Sequence, residues 1–331
     1  MLIDTHAHLN FNAYKEDADG VIRRSLENDV WMINVGSQYE TSKKATEIAE
    51  NYSKGVYAAV GLHPIHLAEG IFKVKLDTEE QAFRTKNEKS KSINSFPPSF
   101  SRAIAKGEEE SLLSSPSLRE NSVGEEDKSS SSPSLPLREN SVFDYEKYKN
   151  LTQSKKVVAI GETGLDYYYR PKTKIKLEQF ENKQKEVFLQ HLELAKELNL
   201  PIIFHCRMAH DDLIKILNTR YKIQNTRPRG VVHCFTGTWE QAKDYMNMGF
   251  YLGFNGIIFK LNLDEIIKKT PLGRILIETD CPYLTPSPMT GRNEPLYVKY
   301  VAEKIAEIKK LSFEEIAKIT TKNAQELFKI I

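Results

Sequence analysis

The stretch LIDTHAHLN, residues 2–10, sets the reading of the chain. An apolar start, Leu2 and Ile3, runs into His6 and His8 with one residue between them. Alternate side chains on a β-strand share a face, so a strand here points both imidazoles the same way, about 7 Å apart at the Cβ level. That spacing can converge on one metal ion. Taken alone, it describes two solvated histidines just as well. The rest of the chain decides between the two.

The same pattern recurs along the sequence. Short, nearly continuous apolar runs occupy 1–9, 31–37, 56–64, 157–166, 201–207, 230–237, 250–256 and 274–282. Strands that are apolar throughout are buried on both faces, as in parallel sheets. The intervening segments carry helical periodicity, as with Phe188, Leu192, Ala195 and Leu198 within 174–199. Eight β-α units predict an α/β fold of the TIM-barrel type, (β/α)₈. A doubly wound open sheet is the alternative, but no Gly-x-Gly-x-x-Gly follows the first run. The C-terminal stretch from Glu294 reads as two closing helices, with Ser312 and Glu315 spaced as a capping box for the second.

Residues 75–142 break the pattern. They are rich in Ser, Pro, Lys and Glu and poor in aliphatic runs, a composition that cannot bury enough surface to fold. A degenerate repeat lies within them: SSPSLRENSV at 114–123 returns as SSPSLPLRENSV at 131–142. The expected organisation is one domain over 1–331, with 75–142 a disordered low-complexity insertion between strands three and four. Without it roughly 260 residues remain, near the usual size of such a barrel. The segment reads either as a docking or regulatory element or as a tolerated surface insertion.

Lys plus Arg number 47 and Asp plus Glu 45, a net charge of only +2. That gives no strong electrostatic footprint for nucleic acid or anionic membrane, so a phosphate polymer would have to be attracted by local groups. No run of eighteen apolar residues exists, and no membrane contact is expected. The N-terminus lacks a basic region followed by an apolar one, and the expected location is the cytoplasm. Three cysteines, Cys206, Cys234 and Cys281, are too few and too odd a set for a disulfide framework. Each directly follows a candidate ligand, so on a strand each faces the opposite layer, as a small buried hydrophobe rather than a metal ligand.

In a (β/α)₈ barrel the active site lies at the C-terminal ends of the strands. His6 and His8 end the first run, Glu162 sits late in the fourth, His205 in the fifth, His233 in the sixth and Asp280 in the eighth. Four of the eight histidines and two carboxylates thus meet on one rim. Imidazole and carboxylate together suit divalent Zn, Mn or Fe. Two ions about 3.5–4 Å apart need an anionic bridge. Glu162, between the two histidine sets in barrel order, is the natural one. Asp280 is placed to ligate and to take a proton from a water whose pKa the ions lower, so that hydroxide attacks the electrophile.

The segments DTHAHL, GLHP, AIGETGLDYYY, FHCRMAHDD, HCFTG, LGFNGIIFK, ETDCPYLTP and GRNEPLYV follow one another in this order. In order and spacing they resemble the motifs of the TatD family of metal-dependent DNases, within the amidohydrolase-type barrels, along the whole chain except the insertion. The resemblance implies one or two divalent ions (Mg, Mn or Zn). It implies exonucleolytic hydrolysis of DNA phosphodiester bonds, on a single strand or a 3′ end, with no obligatory protein partner. It assigns His6, His8, Glu162 and Asp280 to one ion and Glu162, His205 and His233 to the other, with Asp280 and Glu162 catalytic. His63 matches a family histidine that contacts substrate, or it merely ends the third strand. Arg207 and Arg292 lie in matching motifs and suit phosphate. Tyr167 and Tyr168 either stack on bases or pack at the rim. Asp166 and Arg170 read as a structural pair. His66 departs from the family's His-Pro-His, since the chain reads His63-Pro64-Ile65-His66.

The same ligands would serve hydrolysis of a carboxylic ester or amide, such as an aminoacyl-tRNA ester, because fold and ligands do not fix substrate. A non-catalytic binding protein is disfavoured, since every expected ligand is present. For the insertion, limited proteolysis should cut first within 78–140 and leave two fragments that stay associated, because loop length costs little stability. Protection of that stretch, or collapse of the fold on its deletion, would overturn the low-complexity reading.

Overall fold

The structure, a computed structural model, describes residues 1–74, 143–224 and 229–331. The insertion expected at 75–142 lies outside the described residues. Eight strands pair in chain order: β1 (Leu2–Ala7), β2 (Val30–Val35), β3 (Val56–Val60), β4 (Val157–Asp166), β5 (Ile202–Arg207), β6 (Gly230–Val232), β7 (Tyr251–Phe254) and β8 (Ile275–Ile277). Every neighbouring pair is parallel. A parallel bridge between Ala7 and Cys281 joins the last strand's extension to the first. The order never reverses, which excludes the doubly wound alternative. Helices α1 (Ala18–Glu27), α2 (Tyr39–Glu50), α3 (Tyr145–Leu151), α4 (Lys174–Leu198), α5 (His210–Gln224), α6 (Trp239–Asn247) and α7 (Asp264–Lys269) alternate with the strands. The two closing helices are α8 (Val298–Lys309) and α9 (Phe313–Phe328).

Several strands are shorter than their apolar runs. β1 ends at Ala7, so His8 lies just past it; β6 stops at Val232 and β8 at Ile277. The residues that follow, including His233, Phe235, Glu278, Thr279 and Cys281, remain buried. Burial and apolar character therefore continue where the ladder has ended and the backbone turns its side chains into the barrel mouth. Such a stretch cannot be told from strand by composition alone.

The seam between β1 and the chain after β8 is closed by side chains. Asp4, fully buried, accepts from the Thr279 N–H (2.8 Å), the Thr279 hydroxyl (2.5 Å) and the His6 N–H (3.2 Å). Burial pushes its carboxyl well above the usual range, against the pull of the Thr279 and His6 hydrogen bonds. The Thr5 hydroxyl donates to the Ile277 carbonyl (3.1 Å), the Asp280 N–H to the His6 carbonyl (2.8 Å) and the His8 N–H to the Cys281 carbonyl (3.0 Å). Helix α9 seals one hydrophobic cluster, with Ala324, Leu327 and Phe328 packed among Ile3, Ile33, Ala159, Ile203 and Leu276. Its start is the expected capping box: the Ser312 hydroxyl accepts from the Glu315 N–H (3.2 Å) and Glu315 accepts from the Ser312 N–H (2.9 Å).

Helix α4 is tied to the end of β3 by His191. The ring is fully buried, lies 3.9 Å from the Phe143 ring, donates from Nδ1 to the Val187 carbonyl (2.8 Å) and accepts the Leu62 N–H at Nε2 (3.0 Å). Both nitrogens are committed in the neutral form, and burial lowers the pKa to about 4. The unfolded chain takes up that proton near 6.5. Stability from this site is therefore complete above pH 6.5 and is lost as pH falls toward 4, by up to about 3 kcal/mol. In His191→Gln the difference in urea-unfolding free energy between pH 7 and pH 4.5 should shrink. An undiminished acid loss would refute a buried neutral ring.

Candidate metal centre

Strand ends from around the barrel converge on Glu162, a buried residue in the middle of β4. Its Oε1 lies 2.6 Å from His205 Nδ1 and 3.0 Å from His233 Nε2, while its Oε2 lies 3.4 Å from His6 Nε2 and 4.0 Å from His8 Nε2. His6 and His8 bring their Nε2 atoms to 3.1 Å, and Asp280 Oδ1 stands 3.3 Å from His8 Nε2 and 3.7 Å from His6 Nε2. His6 also stacks on His233, with ring centroids 3.9 Å apart. All six residues expected to hold metal are thus brought together.

Hydrogen bonds behind the rings fix which nitrogen faces inward. A carbonyl or carboxylate only accepts, so the ring nitrogen beside it carries hydrogen. His8 Nδ1 meets the Val35 carbonyl (2.8 Å), His205 Nε2 meets Asp166 Oδ2 (3.2 Å) and His233 Nδ1 meets Glu278 Oε1 (3.2 Å). His8 Nε2, His205 Nδ1 and His233 Nε2 face carboxylate oxygens as well. Each neutral ring thus has acceptors on both sides and one hydrogen to give, which sets a lone pair against a carbonyl or carboxylate oxygen unless a positive charge sits among them.

The titration directions agree. Burial pulls His205 down, but hydrogen bonds to Asp166 and Glu162 and their charges outweigh it and raise the ring to about 9. Burial opposes His233 too, yet Glu162 and Glu278 hold it well above the usual range. Glu162 itself, despite burial, is held well below the carboxylate range by His63, His233 and His6. The site calls for cationic charge, and protons or divalent ions compete for it. Two of the groups with ligand atoms within 4.8 Å of one another are His6–His8–Glu162 and Glu162–His205–His233; a third joins Asp280 to His6 and His233. The donor set fits a divalent ion, and no cysteine is in these groups among the described residues.

The backbone is strained at this rim. Met208, just after β5, Cys234, just after His233, and the candidate ligand Asp280 itself have φ of 56°, 45° and 57°. Asp tolerates the left-handed region better than Cys or Met, and such conformations gather at functional sites.

The remaining sequence expectations divide. His63, half-buried past β3, accepts the Ile65 N–H at Nδ1 (3.0 Å), so its neutral ring presents Nε2–H, 3.1 Å from His205 Nδ1 and 3.5 Å from Glu162 Oε1. It offers the mouth a donor rather than a lone pair. Arg207, ending β5, lays its guanidinium 3.6 Å above the Tyr168 ring. Arg292 is placed otherwise than expected. Its guanidinium binds Asp17 through two nitrogens (2.9 and 2.5 Å) and the Ala13 carbonyl (2.6 Å), and covers the Tyr14 ring. It ties the C-terminal loop to the segment before α1. Asp166 and Arg170 are not drawn together as a pair: Asp166 meets His205 and the Tyr168 N–H (2.9 Å), and Arg170 Nε donates to the Tyr167 carbonyl (3.0 Å). Tyr167 is buried, with its hydroxyl on Asp212 (2.8 Å), and serves packing. His66 enters none of the metal-capable groups among the described residues. Sequence reasoning missed Glu278 and the roles of Asp4 and Asp166. A signal existed for the first: an acidic residue at the end of an apolar run must be partnered if it is buried.

A family profile described as TatD related DNase matches residues 3–329. A Bacillus subtilis (strain 168) protein named uncharacterized metal-dependent hydrolase YabD is 38% identical over 335 aligned residues, covering 100% of both chains. A Salmonella typhimurium protein named 3′-5′ ssDNA/RNA exonuclease TatD is 34% identical over 190 residues, 55% of this chain and 69% of that one. Among solved structures, YjjV, a TatD homolog from Escherichia coli K12, has the same fold, with a TM-score of 0.69 at 24% identity over 100% of this chain and 98% of that one. With the profile spanning almost every residue, from the first strand to α9, the chain belongs to the TatD family of metal-dependent hydrolases.

Proposed function

We propose that this chain hydrolyses phosphodiester bonds of DNA from a single-stranded or 3′ end, with two divalent ions (Mg, Mn or Zn) at the barrel mouth. The observation that carries the reading is Glu162, whose two oxygens face two different pairs of histidines. A carboxylate so placed can bridge two cations, the arrangement suited to stabilising both the attacking and the leaving oxygen of a phosphoryl displacement. The Salmonella relative, a protein named as a 3′-5′ ssDNA/RNA exonuclease, supports the substrate class. In this reading His6, His8 and Asp280 would hold one ion and His205 and His233 the other, with Glu162 between the two sets.

When bound, the ions supply Lewis acidity and lower the pKa of water in the site. Asp280 would accept the proton as a water oxygen bonds to phosphorus, and the ester P–O bond would break with its leaving oxygen taking a proton from solvent. Burial opposes its ionisation, but His8, His233 and His6 keep its pKa below the usual value. His63 Nε2–H is the donor for a phosphate oxygen. The Arg207 guanidinium, stacked on Tyr168, adds parallel N–H donors for the same chain of phosphates. With a net charge of only +2, these local groups have to provide the attraction. Hydrolysis of a carboxylic ester or amide would use the same ligands, and an aminoacyl-tRNA substrate assayed beside single-stranded DNA separates the two.

Chelation should abolish DNA cleavage, and Mn, Mg or Zn should restore it; unchanged cleavage by metal-free protein would end this reading. Asp280→Asn keeps the shape but loses the base, so single-turnover cleavage should fall about 10²–10⁴-fold while much of the metal stays on His6, His8 and Glu162. Near-native cleavage would show that Asp280 is not the base. Glu162→Gln should instead lose metal together with activity, as measured by metal content per chain. A full complement in that variant would overturn the bridge.

A further inference from the structure

Two of the candidate ligand rings are backed by buried carboxylates that the proposed reaction does not consume. Glu278 is fully buried. Its Oε1 accepts from His233 Nδ1 (3.2 Å), the Cys234 N–H (2.6 Å) and Asn255 Nδ2 (3.2 Å). Its Oε2 is buried with no hydrogen-bond partner among the described residues. The space beside that oxygen exists because residue 253 is glycine: a Cβ there would lie 2.5 Å from Glu278 Oε2. A carboxylate in so dry a place is costly, and two further donors, the Cys234 N–H and the Asn255 amide, hold the oxygen that faces the His233 ring.

Asp166 is held with similar care. It is buried at the end of β4, and α4 grips its backbone, the Asp166 N–H donating to Gln184 Oε1 (2.7 Å) and Gln184 Nε2 to the Asp166 carbonyl (2.9 Å). Its Oδ1 takes the Tyr168 N–H (2.9 Å), which leaves Oδ2 for His205 Nε2 (3.2 Å). The two rings are used in opposite senses. His205 turns Nδ1 toward Glu162, and His233 turns Nε2 toward the same oxygen. By contrast, His8 is backed by a neutral carbonyl, and His6 Nδ1 has no partner among the described residues.

We propose that Glu278 and Asp166 are positioning residues that impose opposite tautomers on His233 and His205, and so build one of the two cation positions without touching the other. The inference rests on the reading of the cluster as a two-cation site. A charged acceptor behind an imidazole fixes its orientation and raises its basicity as a ligand, and loss of such a partner typically weakens metal binding about 10–100-fold. Glu278→Gln and Asp166→Asn keep the size of each side chain and remove the charge.

The test is calorimetric titration of the metal-free full chain with Zn²⁺ in the presence of a competing chelator, together with ring ¹⁵N spectra of the Zn²⁺-loaded protein. The native chain should bind two ions and show hydrogen on His205 Nε2 and His233 Nδ1. Each variant should weaken one binding step about 10–100-fold, leave the other unchanged, and lose the fixed tautomer of its own histidine. Thermal melting of the metal-free variants separates this from unfolding, and if Glu278→Gln does not fold, Asp166→Asn decides. Native affinity in both steps, or equal loss in both, overturns the inference alone. Failure of the native chain to bind Zn²⁺ at all overturns the two-cation reading and the inference with it.

Discussion

The barrel mouth exists because Asp4 joins the two ends of the chain. Its carboxylate reaches from the first strand to Thr279, beyond the last strand, and turns back to the His6 N–H. A donor left unsatisfied in a buried place costs about 1–3 kcal/mol, and three donors depend on this one group. The candidate ligands from the N-terminal end, His6 and His8, face Asp280 only because this seam is shut. The Asp280 N–H on the His6 carbonyl and the His8 N–H on the Cys281 carbonyl continue the same stitching along the backbone. The site and the closure of the ring are built from the same residues.

Within that frame the ring walls and the side chains do different work. The strands fix positions to within a residue, and groups behind the rings choose which nitrogen faces inward. Val35 contributes a backbone carbonyl, whereas Asp166 and Glu278 contribute charge. The result is a small volume lined with electron pairs, in a chain whose overall charge is nearly balanced. Attraction for a cation is thus generated locally and does not depend on the long-range field of the molecule.

Much of this was legible in the sequence, because periodicity and residue type are local properties. Eight apolar runs mark eight strands, with His6, His8, His205, His233 and Asp280 at or near their ends and Glu162 within the fourth. What could not be read was contact between distant segments. In sequence Glu278 is one more acidic residue near Asp280, and its contact with His233 comes from a strand end 45 residues away. The sequence sets Asp166 four residues from Arg170, whereas the fold brings it to His205 on the neighbouring strand. Arg292 looked suited to phosphate, since a guanidinium binds any paired oxygens; only the closed ring brings Asp17 within its reach. The apolar runs extend past the strand ends because buried turns at the rim share the composition of the strands.

The order of the ligands along the chain carries one more implication. His6 and His8 precede the 75–142 segment, and Glu162, His205, His233 and Asp280 all follow it. Neither stretch holds the whole centre, so a divalent ion bound there ties the two portions of a chain divided at that segment. Such an ion binds the assembled state and not the separated one, and its free concentration becomes a variable in the assembly equilibrium. In this protein the catalytic cofactor would also serve as a latch, giving a nicked chain a reason to remain one molecule.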